Sequence, residues 1–234
     1  MKYPKKLLSS LKYIIIIYII QYLTIFLSSL IYTLLGYKDL TNFVSHEASI
    51  ILTIVNLIII IILIKKHNIK TPKVPKHTYF PLIYLGISIA CLLNMLIFLI
   101  IKPTPQNTTI FLYLSIISSG IIGPILEEII FRYLLLKDLN KFNQEKKSLI
   151  IATIIFALVH LNPIKIIYAF ILGLILNSIY VKSNNLKTSI IIHISANIIS
   201  IFLTNFNIHI LILSILGLLI SMKLLSKTKL IPYK

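Results

Sequence analysis

Long apolar runs dominate the chain, and polar residues gather in the short stretches between them. A helix needs about 20 apolar residues to cross about 30 Å of hydrocarbon. Eight runs meet or approach that length: 13–36, 47–64, 80–101, 110–136, 148–161, 164–181, 188–204 and 208–226. The expected fold class is all-α, a polytopic membrane helix bundle of about eight transmembrane helices. The fifth run is short and meets Asn162-Pro163, where a helix should stop, because the residue before a proline is pushed out of the helical region. The fourth run is long and carries Pro124 near its middle. Proline lacks a backbone donor and clashes with the preceding turn, so a kink or a fresh helix start is expected there. Either leaves backbone groups free at membrane depth, which is tolerated only beside protein or a wet cavity.

Composition strengthens this picture. The chain is 58% hydrophobic and only 12% charged, with mean hydropathy +0.97. A soluble domain is about half apolar and about a quarter charged. The formal net charge of +17 raises nucleic acid as a partner, so the placement of the lysines decides. With the N-terminus inside, 19 lysines fall in the alternate segments assigned to the cytoplasm, and three (Lys38, Lys102 and Lys165) fall outside. That is the distribution of topology determinants, with N- and C-termini cytoplasmic, and not of a basic groove. The expected setting is the lipid bilayer of a cell membrane, with no nucleic-acid partner. The first run follows Lys2, Lys5, Lys6 and Lys12 but is too long for a signal peptide and lacks a small-residue cleavage site, so it reads as a retained helix. Cys91 is the only cysteine and reads as a small packing residue. The sequon-like Asn107-Thr108-Thr109 is too short a pattern to carry weight. Gln21, Asn56, Asn94 and Asn177 are single polar residues on apolar runs and are expected to bridge helices.

One stretch breaks the apolar rule. Gly123 to Arg132 holds two adjacent glutamates, Glu127 and Glu128, and the only arginine of the chain, Arg132. An ionised side chain at membrane depth costs a few kcal/mol unless it is paired or solvated. Glu128 and Arg132 are four residues apart in the favourable order for an ion pair that makes both tolerable. Glu127 is rotated by about 100° and faces elsewhere, which makes it the candidate general base. Downstream, Phe156 and His160 are four apart, and so are His193 and Asn197. At 1.5 Å per residue, Glu127, His160, His193 and Asn197 fall within one slab about 10 Å thick, measured from the cytoplasmic helix ends. A carboxylate, two imidazoles and an amide at one level suit the activation of a water molecule.

The ordered set Glu-Glu-x-x-x-Arg, Phe-x-x-x-His and His-x-x-x-Asn resembles the CPBP family of intramembrane proteases. That family includes type II CAAX prenyl endopeptidases and bacterial proteins of bacteriocin processing or self-immunity. The resemblance covers roughly residues 120–204 and implies an intramembrane endopeptidase acting on a hydrophobic or membrane-associated peptide. It implies that Glu127 and His160 activate water, that His193 and Asn197 stabilise the oxyanion, and that Glu128, Arg132 and Phe156 support the site. The cofactor stays open: a divalent metal, zinc, held by Glu127, His160 and His193, or none. The resemblance and the Ile/Lys/Asn-rich composition together imply a bacterial source. The expected organisation is one membrane domain, 1–234, with variable N-terminal helices over 1–109, the motif-bearing core over 110–204, and a last helix and basic tail over 205–234.

Two rival readings use the same residues. In one, the polar set is a structural network in a non-catalytic protein that binds a partner in bacteriocin immunity or regulation. In the other, a proton-coupled transporter, a polar path should continue to the outer face, but the outward halves are almost wholly apolar. The His-Glu-x-x-His and Gly-x-Ser-x-Gly motifs are both absent, and no aspartate lies inside a predicted span.

Overall fold

The computed structural model describes residues 4–45, 47–101, 109–141 and 144–228. Lys102, most of the Asn107 sequon and His46 lie outside the described residues. Every predicted apolar run is helical. They appear as α1 (Pro4–Leu34), α3 (Glu47–His67), α4 (Lys76–Phe98), a composite helix ending at Leu139, α8 (Glu145–Leu158), α9 (Pro163–Ser183), α10 (Leu186–Phe202) and α11 (Ile208–Ser226). A short helix, α2 (Leu40–Ser45), was not expected; it follows a turn at Gly36, whose φ of 88° suits glycine. The fold is an all-helical polytopic bundle.

Among the described residues, six helices are long and apolar enough to cross a membrane. The other two expected spans are shorter. Helix α8 has 14 residues and α10 has 17, about 21 and 26 Å of rise. Helix α8 stops at Leu158 because the chain must turn into Asn162-Pro163. Leu161 takes a left-handed backbone (φ 57°), and the Asn162 side chain accepts from the amides of Ile164 and Lys165. Asparagine therefore supplies the N-cap, and Pro163, needing no donor, fills the first turn. Asn185 and Asn207 cap α10 and α11 in the same way.

The composite helix consists of α5 (Thr109–Ser115), a π-helical stretch (Ile116–Ile122), α6 (Gly123–Glu128), a second π-helical stretch (Ile129–Leu136) and α7 (Lys137–Leu139). The expected break at Pro124 takes this form: the ladder shifts from α to π spacing before the proline, and α6 starts afresh with Pro124 in its first turn. Stretches of π-helix are rare and often mark functional sites.

Helix α4 packs against α10 and α11, α8 pairs with α9, and α1 lies on α3. One core joins α1, α3, the second π-helical stretch and α8; the other joins α4, α9 and α10. Gly86 of α4 fixes the approach to α10: a Cβ there would lie 2.3 Å from the Ile192 carbonyl oxygen. Small residues let membrane helices approach this closely. The predicted bridges form as hydrogen bonds: Gln21 to Asn56 at 2.9 Å, Asn94 to Ser200 at 3.0 Å, and Asn177 to Thr153 at 2.8 Å.

Candidate functional site

The two glutamates of α6 differ sharply in access. The Glu128 side chain is fully buried, whereas that of Glu127 is 27% exposed. Glu128 Oε1 lies 3.0 Å from Arg132 Nη1, and Arg132 is also fully buried. Helical spacing sets this pair, and the π-helical stretch after Glu128 carries Arg132 on the same wall. The guanidinium lies 4.3 Å over the Phe156 ring, which adds a cation–π contact to this buried cation.

Glu128 has a second partner that helical spacing does not reveal. Its Oε1 accepts a 2.8 Å hydrogen bond from His193 Nδ1, brought in by α10. Ser189, one turn earlier on α10, is also buried and faces Glu128. Glu128 therefore does more than neutralise Arg132: it orients an imidazole. The opposite ring nitrogen, His193 Nε2, lies 3.8 Å from Glu127 Oε2. That is beyond a direct hydrogen bond and within the span of a bridging water.

His160 sits in the turn after α8, with Nδ1 2.9 Å from the Phe156 carbonyl. A carbonyl only accepts, so Nδ1 carries a proton there, and in the neutral tautomer Nε2 keeps the lone pair. Both imidazoles pack edge-on to the Phe156 ring, His160 at 5.1 Å and His193 at 5.9 Å between centroids. Phe131 does the same at 5.1 Å. Phe156 is thus the hub of the site. Gly173 of α9 makes room for it, since a Cβ there would meet the ring at 2.8 Å.

Asn197 is engaged by the backbone. Its Nδ2 donates to the Ser119 carbonyl at 3.0 Å. The cause lies in the sequence. The Gly123 amide donates to Ser118, five residues back, so it does not reach Ser119. The next amide in that register would be Pro124, which has none. Ser119 is left as an acceptor without a helical donor, and Asn197 fills the gap. One amide hydrogen of Asn197 is used in this way and the second is spare.

Among the described residues, no three His, Cys, Asp or Glu side chains come together to hold a metal ion. Glu127 and His193 are adjacent, and His160, tied to the end of α8, meets the same Phe156 ring as His193. The donor set Glu127, His160 and His193 does not fit a three-ligand site as placed. Sequence reasoning also missed Gly86 and Gly173, whose small size sets the helix spacing behind His193 and Phe156.

Residues 107–199 match the family model described as type II CAAX prenyl endopeptidase Rce1-like. All seven residues singled out from the sequence fall inside that segment. Neither the curated proteins nor the solved structures gave a match.

Proposed function

We infer, because the chain belongs to the CPBP family of intramembrane proteases, that it hydrolyses a peptide bond of a hydrophobic or membrane-associated peptide with Glu127 as general base. The observation that carries this role is the difference in access: of two adjacent carboxylates, Glu127 alone is open, and it faces the free nitrogen of an imidazole whose other nitrogen is fixed. The charge balance supports it. Two carboxylates face one guanidinium, and one proton held between Glu127 and His193 makes the cluster neutral, which suits a low-dielectric setting.

Glu127, aided by the lone pair of His160 Nε2, accepts a proton from water as its oxygen bonds to the scissile carbonyl carbon. The oxyanion is met by His193 Nε2–H and the spare Asn197 amide hydrogen, an interaction of about 3 kcal/mol per donor in comparable sites. The C–N bond then breaks, and the proton on Glu127 passes to the leaving amine. Glu128 and Arg132 hold His193 and Phe156 in place. The finer setting we propose is maturation of, or self-protection against, a membrane-active peptide such as a bacteriocin.

The test is Glu127→Gln in protein reconstituted into vesicles with a panel of hydrophobic peptides, with products read by mass spectrometry. Loss of the base predicts a fall of about 10²–10⁴-fold. Undiminished cleavage would show that the carboxylate takes no part. Cleavage by neither protein, with peptide capture by both, would favour the partner-binding reading.

A further inference from the structure

A polar cavity of about 460 Å³ lies at the lysine-rich end of the bundle, beyond Arg132. It forms where the turn after α3, the end of the composite helix, the start of α8, the end of α9 and the start of α10 meet. Its lining includes Lys70, Lys137, Asn68, Asn140, Asn184 and Glu145. The lining thus holds two ammonium groups, one carboxylate and three carboxamides. The volume is in the range of small-molecule sites.

The walls are tied together. The Tyr133 hydroxyl donates to the His67 carbonyl at 3.4 Å, and Asn185 Nδ2 donates to the Pro72 carbonyl at 3.3 Å. Lys137 Nζ lies 4.4 Å over the Tyr133 ring, so this cation is held at the cavity edge. Asn68 and Asn184 both adopt left-handed backbone, with φ of 46° and 47°, where each helix turns back. Asparagine accepts that conformation and brings an amide donor to the cavity. Val181, Leu186 and Pro72 supply apolar wall beside the polar groups.

We propose that this cavity binds the phosphate-bearing headgroup of an anionic membrane lipid. The positive balance and the amide donors suit a phosphate. The position, at the ends of membrane-length helices on the side to which the sequence assigns 19 lysines, puts the cavity at headgroup level. The adjoining apolar wall suits the glycerol and the first acyl carbons. The proposal is independent of the catalytic reading, since neither lysine belongs to that site.

The experiment measures retention of phosphatidic acid by the full chain in detergent, using native mass spectrometry, with phosphatidylcholine and free glycerol phosphate as comparisons. Wild type should hold phosphatidic acid in preference to phosphatidylcholine. The Lys70→Gln/Lys137→Gln variant should bind it about tenfold to thirtyfold more weakly. Lys70→Arg/Lys137→Arg should retain binding, and Lys223→Gln should match wild type. A thermal unfolding scan of each variant separates lost binding from lost fold. Three outcomes would overturn the proposal. These are equal retention by the double glutamine variant, equal weakening by Lys223→Gln, or glycerol phosphate bound where the lipid is not.

Discussion

Gly173→Ala places a methyl group 2.8 Å from Cδ1 of Phe156. Carbon–carbon contacts settle at about 3.5–4.0 Å, so the ring or the helix must move by about 0.7–1.2 Å. The ring has no free direction. Phe156 is 1% exposed, Arg132 lies on its face, and Phe131, His160 and His193 meet it edge-on. Overpacking of this kind costs about 1–3 kcal/mol, and for chains of this size each kcal/mol lowers Tm by about 2–4 °C. The catalytic cost should exceed the stability cost, since a shift of about 1 Å at a reacting group can lose about 10²-fold in rate. The assay is thermal unfolding in detergent of wild type, Gly173→Ala, Phe156→Leu and the double variant. Leucine is shorter than phenylalanine and should relieve the clash, so the double variant should be more stable than the sum of the singles implies. A Gly173→Ala protein that melts within about 1 °C of wild type, and whose effect simply adds to that of Phe156→Leu, would refute the placement of α9 against the hub.

Other outcomes follow from the same geometry. Gly86→Ala should cost more than Gly173→Ala, because its methyl meets a backbone carbonyl that cannot rotate away; a smaller loss of Tm than for Gly173→Ala would count against the α4–α10 contact. Asn197→Ala should destabilise by about 1–3 kcal/mol by stranding the Ser119 carbonyl. In a Pro124→Ala background, which restores an amide at that position, the cost should fall by about 1 kcal/mol, and an unchanged cost in a double-mutant cycle would sink the explanation. Peptide cleavage should survive removal of divalent metal by a chelator. Loss of activity, restored by zinc and abolished by His160→Ala, would mean that the three donors converge in a way the present arrangement does not show.

The helices were legible because membrane spans announce themselves by length, and lysines and Asn-Pro punctuate them. The Glu128–Arg132 pair was legible because both partners lie on one helix at a fixed spacing. The Glu128–His193 bond was not, since it depends on how α10 docks. Adding 100° per residue also describes an α-helix, and the chain around the glutamates is partly π-helical. Pro124 signalled that a backbone group would be freed nearby, but nothing local named Asn197, 78 residues away, as its partner. Gly86 and Gly173 look like any glycine in an apolar run, because their meaning lies in the neighbour they admit. The shortness of α8 was legible from Asn162-Pro163, whereas that of α10 was not, because apolar residues near a turn look the same whether or not they complete a crossing.

The central claim is that Glu127 takes a proton from the water that cuts the peptide. Its most direct test is cleavage of a membrane peptide in ¹⁸O-labelled water by wild type and by Glu127→Gln, with the fragments read by mass spectrometry. The account predicts one heavy oxygen in each new C-terminal carboxylate with wild type, and labelled product reduced by about 10²–10⁴-fold in the variant. Labelled product formed equally fast by Glu127→Gln would contradict it.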